Sequence, residues 1–232
     1  MDNALYNKEI VCPVCKKKIE VTKVRSKVSK VLTRDTDFCV YYEGINPLFY
    51  DVWVCENCGC AAQGDKFEEI TPRDAKIILD NIAPKWNKRS FGGERTIDAA
   101  LEAFKLALVN LQVRSAKTSE LAKICIRIAW IYRIKKDARE MDFLKFALKF
   151  YDETYQRETF PVDKLDEFTC MYIIAELKRR TGDIEDSIKW FSRLIGNPEA
   201  RKNPKLVESA REQFHLAKEE LAKLPKEPTD IS

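Results

Sequence analysis

The sequence predicts an α+β protein in which short β-strands come first and α-helices follow. Six of the eight cysteines lie between Cys12 and Cys60, which indicates a small N-terminal domain built around these side chains. The first 70 residues are also rich in Val, Tyr, Phe and Thr, which favour strands. From Thr96 to about Leu221, apolar residues recur at the spacing of amphipathic helices.

The amino-acid composition argues against several classes of protein. The 41 Lys and Arg residues against 37 Asp and Glu residues leave a net charge of +4, too small a surplus to indicate a dedicated nucleic-acid or membrane coat. The sequence contains one histidine, His215, which excludes sites built from several histidines, so we expect a non-catalytic protein. No leader-like apolar segment precedes Ile10, and no stretch approaches the roughly 18 apolar residues of a membrane span. We expect a cytoplasmic protein with reduced thiols.

Two Cys-x2-Cys pairs predict a metal centre in residues 1–70. They are Cys12-Pro13-Val14-Cys15 and Cys55-Glu56-Asn57-Cys58-Gly59. Each pair can direct two sulphurs at one ion from a tight turn, and two such turns complete the tetrahedral four-thiolate shell that zinc favours. Such a shell has no open position, so we predict one structural zinc ion per chain, in a zinc ribbon whose residues 20–50 form an enlarged hairpin.

Alternatives to this metal centre stay open at the level of sequence. Rubredoxin-type iron also uses paired Cys-x2-Cys turns. Cys60 can compete as a ligand, and Cys39 can be a redox thiol, although both are also typical of small buried side chains.

Residues 71–95 are predicted to be a connector helix and a hinge. Thr71-Pro72-Arg73-Asp74 has a capping residue, a proline at the first helical position and an acid in the first turn. Ala75, Ile78, Leu79 and Ile82 then follow at helical spacing. Residues 85–95, with the Gly92-Gly93 pair, break the pattern and form the predicted domain boundary.

Residues 96–232 are predicted to form an α-helical domain of six helices in antiparallel pairs with a short polar tail. The third helix has two apolar stripes, one containing Met141 and Leu144 and the other Phe143 and Phe146, so we expect it to be covered on two sides. Around Ala129 and Ala175 a helix with a small residue precedes a turn and a second helix, a pattern similar to tetratricopeptide repeats. Their offset of 46 residues exceeds the standard of about 34, so an irregular helical bundle is the alternative.

Five ordered strings are similar to a known family. They are Cys-Pro-Val-Cys, Arg34-Asp35-Thr36-Asp37-Phe38, Ile45-Asn46-Pro47-Leu48-Phe49-Tyr50, Cys-Glu-Asn-Cys-Gly and Ala129-Trp130-Ile131-Tyr132-Arg133. The chain resembles the bacterial domain of unknown function 2225 from about Tyr6 to Leu221. The resemblance implies a cytoplasmic zinc ribbon followed by tetratricopeptide-like helices, and no activity comes with it. The string from Asp35 to Tyr50 can be either a surface or part of the packing of the long hairpin.

The sequence is compatible with two functions. The first is an adaptor that binds a protein or peptide through its helices, with Lys123, Arg127, Lys178 and Arg179 facing an acidic segment. The alternative is a nucleic-acid-binding protein that uses the basic strand 16–34. Residues 8–34 carry a net charge of +7 and residues 35–70 a net charge of −7, so the two segments can also neutralise each other.

Overall fold

The computed structural model describes residues 4–25 and 28–224, and their fold is α+β, as the sequence predicts. The strands are β1 (Leu5–Val11), β2 (Lys18–Val24), β3 (Lys30–Arg34), β4 (Val40–Glu43), β5 (Val52–Val54) and β6 (Ala61–Gln63). The helices are α1 (Pro72–Asn81), α2 (Ile97–Val113), α3 (Thr118–Lys135), α4 (Glu140–Arg157), α5 (Glu167–Arg180), α6 (Ile184–Gly196) and α7 (Pro204–Lys223). Within these residues, no helix combines the length and the apolar content that a membrane crossing requires.

The strands pair as antiparallel hairpins, β1 with β2, β3 with β4 and β5 with β6. In the first hairpin, Leu5 lies opposite Val24 and Val11 lies opposite Lys18. The turns of the first and third hairpins contain one cysteine pair each. The β3–β4 hairpin lies between them as a separate hairpin, within residues 20–50, where the sequence predicts one enlarged hairpin.

A small core lies beneath the cysteine turns. Ile19 and Val21 of β2 are buried, whereas the residues on either side of Ile19 are exposed, which is the alternation of a half-buried strand. The two side chains belong to one apolar cluster with Trp53 and Phe67. Ile78 of α1 belongs to the same cluster, so the predicted connector helix is part of the N-terminal core.

Helix α1 begins as its sequence predicts. The Thr71 side chain accepts a hydrogen bond from the backbone N–H of Asp74 at 3.1 Å, and Pro72 occupies the first turn. Its apolar stripe is narrower than predicted. Leu79 is 45% exposed, because the face of α1 that meets the core contains Ala75 and Ile78.

The chain divides into two compact units inside α4, after Ala147. The sequence instead predicts the boundary at residues 71–95, between the ribbon and the helices. In the structure the glycine pair of this segment is held by the ribbon, since the backbone N–H of Gly93 donates to Thr22 Oγ1 at 2.8 Å. Helix α2, which follows, packs on β5 and β6. The ribbon and the first helices are therefore parts of the same compact unit.

The helices of each unit pack in sequence order. Helix α2 packs with α3 in the first unit, and α5, α6 and α7 pack in succession in the second. The turns after α3 and α5 share one geometry: Lys136 and Gly182 both have left-handed φ angles, of 58° and 94°. In each turn the next residue donates its N–H to the carbonyl five positions earlier, at 3.0 Å for Asp137 and 2.9 Å for Asp183. The two turns that the sequence aligned are therefore similar in conformation.

Helix α4 departs from the prediction that it is covered on two sides. Leu144 and Tyr151 are buried at 2% and 5% exposure. In contrast, Phe146 is 50% exposed and Met141 is 39% exposed. The prediction was wrong for this helix, because Leu144 and Tyr151 of the first stripe pack, whereas Phe146 of the second stripe faces solvent.

Candidate metal centre

The first cysteine pair lies in the turn between β1 and β2. The backbone N–H of Lys16 donates to the Cys12 carbonyl at 3.0 Å, and the N–H of Cys12 donates to the Lys17 carbonyl at 2.9 Å. Lys16, directly after Cys15, has φ = 60°, a left-handed conformation that is uncommon outside glycine. This tight turn positions the two sulphurs of the pair near each other.

The second pair repeats this turn between β5 and β6. The N–H of Gly59 donates to the Cys55 carbonyl at 2.9 Å, and the N–H of Cys55 donates to the Cys60 carbonyl at 2.8 Å. Gly59, directly after Cys58, has φ = 73°. Both turns therefore have the same hydrogen-bond pattern and the same left-handed position after the second cysteine.

The two turns bring four sulphur atoms together. Those of Cys12, Cys15, Cys55 and Cys58 all lie within 4.8 Å of one another. The Cys12 and Cys58 sulphurs are 3.8 Å apart, and those of Cys15 and Cys55 are 3.6 Å apart. A tetrahedral ion with metal–sulphur bonds of about 2.3 Å requires sulphurs about 3.8 Å apart. The cluster that the sequence singled out therefore has the spacing of a four-coordinate metal site.

The cluster is shielded from solvent. Cys12 and Cys55 are fully buried, Cys58 is 2% exposed, and Cys15 is partly buried. Four sulphur ligands complete a tetrahedral shell and leave no position for water or substrate. A metal ion held here would cross-link the two turns, which is a structural role.

The thiols of the cluster also affect one another's ionisation. Hydrogen bonds with neighbouring thiols, first that of Cys55, lower the pKa of Cys12 far below its ordinary value of 9.0. Hydrogen bonding to Cys12 raises the pKa of Cys55 to about 12, and it raises the pKa of Cys58 further. One thiolate is favoured, and it opposes the ionisation of the others. A divalent cation removes this opposition, because metals bind the thiolate form.

Cys60 and Cys39 lie outside the group of four. Cys60 is fully buried, and hydrogen bonding to Cys12 raises the pKa of its thiol well above 9.0. Cys39 is also fully buried, and desolvation raises its pKa to about 12. Both side chains are therefore protonated thiols at neutral pH in this arrangement, as expected for small buried groups.

Trp86 supports the second cysteine turn from the segment after α1. Its indole Nε1 donates to the Glu56 carbonyl at 2.7 Å. Its ring lies against Gly59 so closely that a Cβ atom at this position would be 2.6 Å from Trp86 Cε3. Glycine at position 59 therefore serves both the left-handed turn and the approach of the tryptophan ring.

Asn110 of α2 supports the same turn, a role that the sequence did not lead us to predict. Its Nδ2 donates to the Gly59 carbonyl at 3.1 Å, and its Oδ1 accepts from the Ala61 N–H at 3.3 Å. The residue is 2% exposed. A signal was present in the sequence, since Asn110 lies on the apolar stripe of α2 next to Leu111 and three residues after Ala107. A buried polar side chain on such a stripe requires hydrogen-bond partners.

Two residues of the strings that resemble the family, Asp37 and Tyr50, are buried in the first unit. Asp37 is fully buried and accepts hydrogen bonds from Arg133 and Trp130. Tyr50 is 5% exposed, and its hydroxyl accepts from the backbone N–H of Arg95 at 2.9 Å. Asp37 and Tyr50 therefore contribute packing, which is one of the two roles that the sequence left open for the string from Asp35 to Tyr50.

A buried guanidinium completes this packing. Arg95 donates to the carbonyls of Phe49, Val52 and Phe91 at 2.8–2.9 Å. Desolvation lowers the pKa of Arg95 to about 10. The side chain remains a cation at neutral pH and fixes the Asn46–Tyr50 string to the start of α2.

Two of the predicted partner-binding residues lie in the first unit, where each faces an acid of the ribbon. Lys123 Nζ is 3.9 Å from Asp65 Oδ2. Arg127 Nε is 3.2 Å from Asp51 Oδ2. Both cations are therefore already neutralised by carboxylates of their own unit.

The other two lie at the end of α5 in the second unit. Lys178 Nζ is 2.9 Å from Asp186 Oδ2. Arg179 donates to the fully buried Glu176 at 2.8 Å and to Glu220 at 2.7 Å. These ion pairs make the four basic residues weak candidates for an acidic partner.

The basic strand is also neutralised in part. Lys18 pairs with Glu9 at 2.7 Å, and Lys30 pairs with Glu43 at 3.2 Å. Each of these pairs is formed within one hairpin and is exposed. The positive charge that this strand can offer to a phosphate backbone is therefore smaller than the net charge of +7 for residues 8–34 suggests.

The indole ring of Trp53 beside this strand offers little face for bases. Trp53 is 6% exposed, and the Lys8 and Lys23 ammonium groups lie 5.8 and 5.4 Å from its ring centre. Lys27, also part of the basic strand, lies outside the described residues. Stacking of bases needs an open ring face, which Trp53 does not present.

Comparison with known proteins adds a family. A family model described as an uncharacterized protein conserved in bacteria (DUF2225) matches residues 5–217, a range that includes both cysteine turns and most of the helices. No curated protein and no solved structure matches the chain.

Proposed function

The chain belongs to the DUF2225 family of bacterial proteins, and we propose that it is a non-catalytic, zinc-binding adaptor whose helices bind a protein or peptide partner. The observation that carries this proposal is the buried cluster of four cysteine sulphurs. Because a four-thiolate shell offers no position to a substrate, it supports a structural centre. The first unit, which contains this centre, then holds its own helices α1, α2 and α3 in a fixed position.

Zinc is the metal that fits this role best. It tolerates a tetrahedral thiolate shell without redox chemistry and without a preferred d-electron geometry. Iron of the rubredoxin type has the same donor set and remains the alternative. The colour and the elemental content of the purified protein separate the two.

The helical region supports an adaptor role. Helices α5, α6 and α7 pack in succession, and the turns after α3 and α5 share a left-handed residue followed by aspartate. This similarity supports a tetratricopeptide-like interpretation, in spite of the offset of 46 residues between the paired segments. Stacked helix pairs of this kind form extended binding surfaces.

A catalytic role has less support. The histidine of the chain, His215, is exposed on α7. The buried thiols of Cys39, Cys125 and Cys170 have pKa values raised to about 12, so they are poor nucleophiles at neutral pH.

Substitution of single cysteines tests the metal assignment. Wild-type protein should contain one zinc per chain by elemental analysis. Cys58→Ser should lose zinc or bind it far more weakly, whereas Cys60→Ser, the matched control two residues away, should retain it. Zinc retained by Cys58→Ser but lost by Cys60→Ser would show that Cys60 is the fourth ligand. A coloured protein that contains iron would show that the metal is iron and not zinc.

A co-purification experiment with and without nuclease tests the adaptor role against the nucleic-acid alternative. One variant carries Lys17→Gln, Lys23→Gln and Lys30→Gln, and the other carries Lys123→Gln and Lys178→Gln. We expect protein partners to resist nuclease and to be recovered with the first variant. The nucleic-acid alternative would be supported if partner recovery were sensitive to nuclease and were lost in the first variant alone. The affinity for nucleic acid should then fall steeply as the salt concentration rises.

A further inference from the structure

We propose that helix α4 is the centre of a two-fold symmetric homodimer, in which its exposed face packs antiparallel against the same face of a second copy. This inference does not depend on the metal assignment, because α4 contains no cysteine.

One face of α4 presents an exposed aromatic side chain. Phe146 is 50% exposed on a well-formed helix, and Phe143 and Phe150 beside it are partly exposed. Phe143 and Phe146 contact each other with ring centres 5.7 Å apart. An exposed cluster of large aromatic side chains of this kind is typical of an interaction surface.

The helical period shows which residues share this face. With about 3.6 residues per turn, side chains three, four and seven positions from Phe146 lie on its side of the helix. This set comprises Arg139, Asp142, Phe143, Lys149, Phe150 and Glu153. The buried residues Leu144, Ala147 and Tyr151 lie on the opposite side. The face therefore has an aromatic centre with charged residues around it.

The charges on this face are self-complementary. If two copies of α4 cross antiparallel with Phe146 at the two-fold axis, residues at similar distances before and after Phe146 lie opposite each other. Asp142 is four residues before it and Lys149 is three residues after it, on the same edge of the face. At a rise of about 1.5 Å per residue, Asp142 and Lys149 of the second copy are offset by about 1.5 Å along the axis. This distance allows an ion pair on each side of the axis.

The remaining residues match in the same register. On the other edge, Phe143 lies beside Phe150 of the second copy, and near the ends Arg139 lies opposite Glu153. In a parallel two-fold arrangement, the edge with Asp142 and Lys149 would instead lie across from the edge with Phe143 and Phe150, so neither charge would meet an opposite charge. Charge complementarity thus selects a second, antiparallel copy of the chain as the occupant.

The charged side chains on this face are free to form ion pairs with a second copy. In the part of the chain that the structure describes, neither Asp142 nor Lys149 forms an ion pair, and both are exposed. Arg139 pairs with Asp137, but its side chain is 53% exposed and the pair is open to solvent. Formation of the dimer therefore requires no buried ion pair to break.

The surface area that one pair of α4 helices can bury is small. Stable complexes bury about 1,600 Å² in total, more than a single helix pair provides. We therefore expect a weak dimer whose population rises with protein concentration.

Sedimentation of the full chain over a range of concentrations tests the proposal. The wild-type mass should rise from the monomer value of 27.0 kDa towards twice that value. Phe146→Ser should raise the dissociation constant by at least about tenfold. Leu79→Ser, which removes a similarly exposed apolar side chain from α1, should leave it unchanged. Circular dichroism of both variants should match that of the wild type, which shows that they are folded.

Charge reversal tests the register. Asp142→Lys alone and Lys149→Asp alone should each weaken association by about tenfold, because each turns two attractive pairs into repulsive ones. An equimolar mixture of the two variants should associate again. In the mixed dimer, both lysines of the first variant at these positions lie opposite aspartates of the second, so each pair is attractive.

Three outcomes would overturn the proposal. They are a wild-type protein that stays monomeric at all concentrations, a dimer that Phe146→Ser does not weaken, and a mixture of the reversed variants that does not associate. A monomer that binds another protein through Phe146 would identify that protein as the occupant instead of a second copy.

Discussion

Arg133 of α3 binds the fully buried carboxylate of Asp37 through two parallel hydrogen bonds. Nη1 donates to Oδ1 at 2.9 Å, and Nη2 donates to Oδ2 at 2.7 Å. Trp130 Nε1 donates to the same carboxylate at 3.0 Å. Burial disfavours the charged guanidinium, but hydrogen bonds with Asp37 and Glu140 outweigh this and raise the pKa of Arg133. The pair joins the turn between β3 and β4 to α3.

Removal of this guanidinium should destabilise the first unit strongly. Arg133→Met leaves the Asp37 carboxylate buried without its main partner, and breaking a buried pair of this kind costs about 3–5 kcal/mol. Lys18→Met is the matched control, because it removes a cation whose pair with Glu9 is exposed, and it should cost far less than Arg133→Met. Urea unfolding measures both changes, and equal effects would contradict a structural role for Arg133.

Two glycines with the same backbone angle should differ in their tolerance of alanine. Gly59 and Gly93 both have φ = 73°, so alanine costs about 1–2 kcal/mol at either position through the left-handed conformation. At Gly59 the added Cβ also meets Trp86 at 2.6 Å, whereas at Gly93 nothing lies within 4 Å. Gly59→Ala should therefore be the more destabilising and should weaken metal binding, and Gly93→Ala should retain the metal. Metal content and thermal unfolding of the two variants test this difference.

The cysteine turns were predictable because their geometry is local. Each turn is closed by hydrogen bonds within six residues, and its spacing alone directs two sulphurs towards one ion. The cap of α1 at Thr71 was predictable for the same reason. In contrast, the unit boundary depends on contacts distant in sequence, such as Asn110 with Gly59 and Gly93 with Thr22. A glycine pair signals a turn, but it does not show whether another segment holds that turn.

The environment of charged side chains was the least predictable feature. Sequence patterns place Arg127, Lys178 and Arg179 on helices, but they do not show that acids of the same unit face them. The exposure of Phe146 was hidden for a similar reason, because an apolar stripe looks the same whether or not a neighbouring helix covers it. Both depend on packing between elements, which periodicity does not determine.

Buried thiols should make the protein sensitive to alkaline pH. Burial raises the pKa of Cys125 and of Cys170 from 9.0 to about 12 in each case. The folded state thus holds these protons more tightly than the unfolded state, so their contribution to stability is complete below pH 9 and is lost as the pH rises towards 12. We expect the melting temperature to fall across this range, and less steeply in Cys125→Ala than in wild type. An identical slope in both proteins would contradict the contribution of this thiol.

Metal removal should unfold the first unit as a whole and spare the second. The apparent binding free energy of a structural zinc is about 10–16 kcal/mol, comparable to the total stability of a domain at about 5–15 kcal/mol. Asn110 connects the second cysteine turn to α2 through Gly59 and Ala61, so loss of the turn should release the helix as well. After chelation, hydrogen exchange should rise together in residues 12–24, 52–63 and 97–113, with little change in α5, α6 and α7. The Asn110→Leu variant lacks both hydrogen bonds to the turn. In this variant, hydrogen exchange in α2 should already be faster before chelation, and chelation should increase it less than in wild type. Exchange confined to the ribbon in wild type would instead show that the ribbon is an independent domain, as the sequence suggested.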